Sequence, residues 1–165
     1  MDRRDRPEWR YKTKAIQKAA SAFRAALADG NLDHLTFVPV PPSRVKGDPL
    51  YDDRLVRMIR AIRPTPPLDV RELVVQTEST VPAHEREDRP GPGDIAALYR
   101  IDGTLLEGCC PTLVVVDDML TTGAHFRAAA SVIVQALPEA TVIGLFLVRR
   151  VPDTANLDDF EDGGS

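Results

Sequence analysis

Apolar residues at helical intervals mark two stretches in the first half of the chain. The first stripe predicts a helix over about residues 9–28, with Gly30 as its stop. Its members are Ile16, Ala19, Ala20, Phe23 and Leu27. A second stripe predicts another helix that begins at Asp52 or Asp53, because either carboxylate can cap a helix start. Its members are Leu55, Met58, Ile59 and Ile62.

Continuous apolar runs predict the strands. They are LTFVPVP at 35–41, VRELVVQ at 70–76, LVVV at 113–116 before a third apolar helix, and ATVIGLFLV at 140–148, which we expect to be the last buried strand. Strands that alternate with helices, each an unbroken apolar run, are typical of a parallel sheet covered on both faces. The predicted fold is therefore a single α/β domain with a parallel β-sheet of four or five strands flanked by helices.

Residues 77–94 differ from the sequence on either side. The stretch TESTVPAHEREDRPGPGD holds three prolines, two glycines and many charges, with almost nothing apolar. A long polar segment inside a compact domain is either a disordered insert or a functional lid. We expect a flexible lid over the strand ends.

Composition and charge exclude several classes of protein. A hydrophobic content of 43% excludes a disordered chain, and no apolar run is long enough for a membrane-spanning helix. Residues 153–165 carry five acids and no base, so they are expected to form a disordered acidic tail after a domain at residues 1–152. Since the net charge is −4, that domain carries about +1, which argues against a dedicated nucleic-acid module.

Basic residues gather in two places. Residues 1–18 hold seven Lys or Arg against three acids, and Arg54, Arg57 and Arg60 lie three apart on the second predicted helix. Both sets are read as solvated helix faces, with contact to nucleic acid or an acidic partner as the alternative. The polar first residues lack an apolar signal core, and the adjacent cysteines Cys109 and Cys110 suit packing better than a bridge or a zinc site. A cytoplasmic location is expected.

The strongest candidate chemistry lies in PTLVVVDDMLTTGAHF. An apolar strand ends at Asp117 and Asp118, and a Thr-Thr-Gly turn leads from there into a helix. Ligands of parallel sheets bind beyond the carboxyl ends of the strands, and free N–H groups at a helix start favour an anion. Carboxylates suit the hydroxyls of a sugar or a hydrated Mg²⁺. The segment is therefore suited to a sugar phosphate.

This segment resembles the phosphoribosyl-pyrophosphate (PRPP) signature of type I phosphoribosyltransferases. VPVPPSR at 38–44 resembles the family's first strand and pyrophosphate loop, and residues 77–94 stand where the family has its lid. The order of elements over about residues 9–150 looks most like the ComF-type branch, which is associated with DNA uptake. The resemblance implies transfer of phosphoribose from PRPP to a nitrogenous acceptor, with Mg²⁺ and release of pyrophosphate.

The resemblance also implies site residues. Asp117 and Asp118 would hold the ribose hydroxyls, and Mg²⁺ through water or those hydroxyls. The residues that would bind the 5′-phosphate are Thr121, Thr122, Gly123, Ala124 and His125. Those that would bind pyrophosphate are Ser43, Arg44 and Lys46. Those that would act from the lid are His84, Arg86 and Arg89.

Two departures from the family pattern stand out. His125 replaces the usual Thr or Ser, and the cysteine pairs of the ComF-type zinc finger are absent. Two alternatives to the enzyme stay open: a non-catalytic sensor of PRPP or a nucleotide, and a ComF-type accessory protein that handles DNA. The oligomeric state is open, a homodimer included, and no membrane partner is expected.

Overall fold

The computed structural model describes residues 7–27, 31–80 and 91–149, with side chains from Thr13 onward. The helices are α1 (Pro7–Ala26), α2 (Arg54–Ile62), α3 (Pro92–Ala97) and α4 (Ala124–Ala136). The strands are β1 (Leu35–Pro39), β2 (Asp69–Val70), β3 (Val74–Gln76), β4 (Tyr99–Ile101), β5 (Thr112–Leu120) and β6 (Thr141–Arg149). Helix α1 matches the first predicted helix, shifted by two residues at each end.

A four-stranded parallel sheet forms the centre of the fold, in the order β2-β1-β5-β6. Strands β1 and β5 are the inner pair, and their register places Phe37 opposite Val114. Side chains alternate between the two faces of the sheet. Leu113 and Val115 join the core beneath α4, while Val114 and Val116 join the core beneath α1 and α2. The predicted parallel α/β sheet with helices on both faces is confirmed.

The strand order reverses direction between β1 and β5. From β1 the chain passes through α2 to β2 on one side, and from β5 it passes through α4 to β6 on the other. In open α/β sheets such a switch point opens a crevice at the carboxyl ends of the two strands, where ligands bind. Two segments line this crevice: residues 40–48 after β1, and residues 117–123 after the part of β5 that pairs with β1.

The predicted strand at 70–76 is wrong in its extent. The chain forms two short strands there, β2 in the parallel sheet and β3 in a separate antiparallel pair with β4. Arg71 lies at the break, where its guanidinium binds Asp69 and donates to the carbonyls of Leu105, Glu107 and Gly108. These contacts hold the chain between the two sheets.

The last strand is not buried, contrary to the sequence expectation. β6 lies at an edge of the sheet, and Ile143 and Val148 are 45% and 50% exposed. An apolar run predicts a strand but not its position in the sheet, so the burial of β6 could not be read from its composition.

The ends of the proposed lid are partly described. Residues 77–80 fold against residues 43–48, and residues 92–94 are the first turn of α3 rather than polar loop. Gly30 and the tail at 153–165 lie outside the described residues, as does the remainder of the lid. Across the parts of the chain that the structure describes, no helix has the length and apolarity needed to cross a membrane.

Candidate functional site

Asp117 and Asp118 lie where β5 outruns its inner neighbour. β1 separates after Val40, whose N–H donates to the Val116 carbonyl at 2.9 Å. On the other side β6 stays paired with β5 as far as Leu120, which keeps the acidic pair in extended backbone. The two carboxyl groups lie close enough to interact, since besides burial the charge of Asp118 and a side-chain hydrogen bond with it both raise the pKa of Asp117.

Asp117 is the more buried acid and has an unusual pKa. Burial, and after it the neighbouring charge of Asp118, raises the pKa of its carboxyl to about 6 from an ordinary 3.8. Backbone N–H groups partly offset this, including that of Asp118, which donates to Asp117 Oδ1 at 2.8 Å. A half-buried carboxyl held beside a second one is typical of a site that binds or reacts.

The turn after the acids exposes the start of α4. Thr121 and Thr122 are exposed, and Gly123 has φ 72° and ψ 14°, a left-handed conformation that favours glycine. The first backbone N–H groups of an α-helix have no partner within the helix, so they are available to an anion. Only the Ala124 N–H has a side-chain contact here, a long one of 3.4 Å to Thr122 Oγ1, within the described part of the chain.

Two arginines that the sequence did not assign to the site lie against this rim. Arg54 Nη2 is 2.9 Å from Asp118 Oδ2, and Arg127 Nη2 donates to the Thr122 carbonyl at 3.0 Å. The sequence pattern places Arg54 on a solvated helix face, and its neighbour Arg57 does pair locally with Asp53. Arg54 differs from Arg57 because the start of α2 lies next to the end of β5, and this proximity cannot be read from the sequence. Arg127 could have been predicted from the sequence, because it lies in the first turn of the helix that follows the Thr-Thr-Gly bend.

His125 is the second residue of α4, and its side chain forms a hydrogen bond with Tyr99. The Tyr99 hydroxyl lies 2.9 Å from His125 Nδ1, and the Tyr99 side chain is 6% exposed. Burial lowers the pKa of His125. Tyr99 was not singled out in the sequence because the short strand β4 carries no strong apolar pattern.

The segment after β1 brings Ser43, Arg44 and Lys46 to the same edge of the sheet. Both cations have carboxylate partners: Arg44 is 3.9 Å from Asp48, and Lys46 Nζ is 3.3 Å from Glu72 Oε2. The other oxygen of Glu72 accepts a hydrogen bond from the Tyr51 hydroxyl. The two basic side chains are thus held in place by acids near the loop.

Backbone and side-chain bonds attach this loop to the start of the proposed lid. The Ser43 carbonyl accepts from the Thr80 N–H at 2.7 Å and from Gln76 Nε2 at 3.3 Å. Ser79 Oγ accepts from the Val45 N–H and donates to Asp48 Oδ2. Ser79 and Thr80 are therefore attached to the loop, whereas Thr77 donates to the Leu98 carbonyl. The lid candidates His84, Arg86 and Arg89 lie outside the described residues.

The site offers oxygen ligands for a hard cation. Within residues 7–27, 31–80 and 91–149, no group of three or more His, Cys, Asp or Glu side chains is gathered as a metal set. Two adjacent carboxylates nevertheless fit Mg²⁺, which is usually held by one or two carboxylates together with water and substrate phosphates. Asp117 and Asp118 are the residues that would hold it.

The structure brings the acidic pair, the Thr-Thr-Gly turn and His125 together, with the 43–46 loop at the same sheet edge. Cys109 and Cys110 are free thiols at the opposite edge, where Cys109 packs against the core as expected.

No protein-family model matches this sequence, and a comparison with curated proteins gives no match either.

Proposed function

We propose that this protein is a PRPP-dependent phosphoribosyltransferase of the type I class. The observation that carries the proposal is the convergence of two segments at the switch point between β1 and β5. One segment offers two carboxylates followed by a free helix start, and the other offers two cations on a loop. A ribose that carries a 5′-phosphate on one side and a pyrophosphate on the other requires these three kinds of contact.

Each group would have a distinct task. Asp118 and Asp117 accept hydrogen bonds from the ribose hydroxyls, and the backbone N–H groups of 121–125 receive the 5′-phosphate. The loop at 43–46 receives the pyrophosphate through its N–H groups and through Arg44 and Lys46. Mg²⁺, when bound, would neutralise part of the pyrophosphate charge.

The reaction is a substitution at C1 of the ribose. The bond from C1 to the pyrophosphate oxygen breaks and pyrophosphate leaves with the electron pair. A nitrogen of the acceptor supplies its lone pair to form the new C1–N bond and then loses its proton to solvent water. Because positive charge develops on the sugar ring as pyrophosphate leaves, the carboxylates at the ring also stabilise it electrostatically.

A sensor that binds PRPP or a nucleotide without reaction is the second candidate. The pairing of Arg44 with Asp48 and of Lys46 with Glu72 favours a sensor of a nucleotide, because a ligand without pyrophosphate does not require these cations to exchange partners. A ComF-type role in DNA handling has less support, since Arg54 and Arg57 on α2 are both paired with acids. We place the protein in the cytoplasm, in agreement with its two free thiols.

Pyrophosphate release separates the enzyme from the sensor. The protein is incubated with Mg·PRPP and a panel of purine, pyrimidine and other nitrogenous acceptors, with Asp118→Asn as the matched inactive variant. The proposal expects release with at least one acceptor and its loss in the variant. Binding of PRPP without release under every acceptor would establish the sensor, and the absence of binding would reject both.

A further inference from the structure

Tyr99 and His125 form a hydrogen-bonded pair between two elements that meet only in the folded chain. Tyr99 lies on β4, and its ring belongs to the core beneath α4. Its hydroxyl is 2.9 Å from Nδ1 of His125, at the second position of α4. This contact attaches the imidazole, two residues after Gly123 of the Thr-Thr-Gly turn, to the core.

The burial of the Tyr99 hydroxyl determines the direction of the hydrogen bond. His125 Nδ1 is its only hydrogen-bond partner among the described residues, and a buried O–H without an acceptor is costly, so the phenol donates. Burial, together with the charge of Asp117, raises the pKa of Tyr99, so the phenol keeps its proton. Burial lowers the pKa of His125, so the imidazole is neutral near pH 7. A neutral imidazole has one acceptor nitrogen and one N–H. With the phenol donating to Nδ1, the ring proton resides on Nε2.

The tautomer matters for what the turn can bind. The hydroxyl of a threonine or serine both donates and accepts, whereas an imidazole Nε2–H whose other nitrogen is occupied can only donate. A donor-only group favours a ligand oxygen that carries no proton, which is the state of a phosphate oxyanion. It gives no acceptor to a sugar hydroxyl.

We propose that Tyr99 is a positioning residue of the anion site: its hydroxyl holds His125 as the neutral Nε2–H tautomer, so that the start of α4 selects a phosphorylated sugar over the unphosphorylated one. This inference rests on the proposed function, because it concerns the same turn. It extends that function by assigning the preference for a 5′-phosphate to a buried tyrosine that does not itself touch the ligand.

The first test determines the tautomer of His125 in the absence of any ligand. Side-chain ¹⁵N spectra of histidine-labelled protein at pH 7.5 should show His125 protonated at Nε2 and bare at Nδ1. In Tyr99→Phe the Nδ1 atom loses its donor, so the ring should populate both tautomers. Tyr51→Phe is the matched control, because it removes a half-buried tyrosine hydroxyl that bonds Glu72 instead, and the His125 signals should not change.

The second test measures anion binding, with ribose 5-phosphate and ribose as probes. Ribose 5-phosphate, but not ribose, should shift the Nε2 signal of His125. Tyr99→Phe should weaken binding of ribose 5-phosphate roughly 3- to 10-fold, the loss expected for one neutral hydrogen bond. His125→Thr should retain binding through its hydroxyl. In that background, Tyr99→Phe should have no further effect. Thermal unfolding of each variant confirms that it is folded.

The outcomes separate this inference from the proposed function. If ribose 5-phosphate binds but His125 carries its proton on Nδ1, or Tyr99→Phe changes neither tautomer nor affinity, the inference is overturned and the function stands. Equal losses from Tyr99→Phe with His125 or Thr at position 125 overturn it as well. If the tautomer is as stated but neither ribose 5-phosphate nor PRPP binds, both the anion role and the function are rejected.

Discussion

The guanidinium of Arg54, at the first position of α2, lies 2.9 Å from the carboxylate of Asp118 near the end of β5. Both side chains are partly exposed, so the ion pair itself contributes little to stability. The position of the ion pair matters more, because the Arg54 guanidinium places a positive charge at the rim of the sheet. There the acidic pair would bind a polyanionic sugar phosphate. The charge compensates Asp118 until a ligand binds.

Removal of that charge should weaken binding of Mg·PRPP. In Arg54→Gln the ligand loses an attractive cation and meets an uncompensated Asp118, and both changes act in the same direction. We expect a 3- to 10-fold loss of affinity by calorimetry, corresponding to roughly 1 kcal/mol. Arg60→Gln makes the same charge change at an exposed position on the same helix and should leave affinity within about twofold. Equal effects of the two variants would remove Arg54 from the site.

Asp118→Asn should weaken PRPP binding by at least about tenfold. The amide keeps the size of the carboxylate but replaces one acceptor oxygen by a donor, so it cannot receive the ribose hydroxyls in the same way. Calorimetric titration with Mg·PRPP measures the loss. Asp53→Asn, an exposed acid before α2, is the control and should bind as the unmodified protein does. An unchanged affinity in Asp118→Asn would overturn the assignment of the acidic pair.

Asp117 should destabilise the folded protein when it is ionised. A carboxyl with a folded pKa of about 6, against 3.8 ordinarily, costs roughly 3 kcal/mol above pH 6. Since the pKa is raised on folding, the folded state binds more protons between pH 4 and 6. The free energy of unfolding therefore falls as the pH rises through that window. Asp117→Asn should remove this loss.

Urea unfolding of the protein and of Asp117→Asn between pH 4 and 8 measures the effect. The variant should be more stable above pH 6, and its advantage should shrink to near zero toward pH 4. A variant that is less stable at pH 7.5 would show that Asp117 is stabilised in the fold rather than strained by burial.

The loop after β1 offers two changes with opposite expected signs. Lys46→Gln removes a cation from the proposed pyrophosphate loop and should weaken binding of Mg·pyrophosphate. Glu72→Gln keeps the size of the side chain next to Tyr51 but releases Lys46 from its carboxylate partner, so it should tighten that binding a few-fold. Calorimetry at low salt gives both affinities. Changes of the same sign in the two variants would contradict the role of the loop.

The part of the site that lies on one continuous segment could be predicted from the sequence. Asp117, Asp118 and the Thr-Thr-Gly turn follow one another at the end of an apolar strand, and local rules of strand and helix ends suffice to place them. Tyr99 and His125 are 26 residues apart, and their contact depends on how β4 packs under α4. No local pattern encodes such a pairing, and the same holds for Arg54 and Asp118.

The errors about strands have a related cause. β6 is as apolar as a central strand, yet strand order places it at the edge of the sheet. The run at 70–76 has the composition of one strand, but the hydrogen bonds of Arg71 to three carbonyls of residues 105–108 divide it. Composition predicts that a strand exists, whereas its neighbours and its length depend on contacts distant in sequence.

Backbone amide spectra during titration with Mg·PRPP test most directly whether a ribose-linked phosphate binds at the bend after the acidic pair. We expect saturable shifts of the amides of residues 121–125, Gly123 among them, together with those of the 43–46 loop. Residues 106–111, at the opposite edge of the sheet, should not respond. No saturable change at 121–125, or a response confined to the opposite edge, would contradict the account.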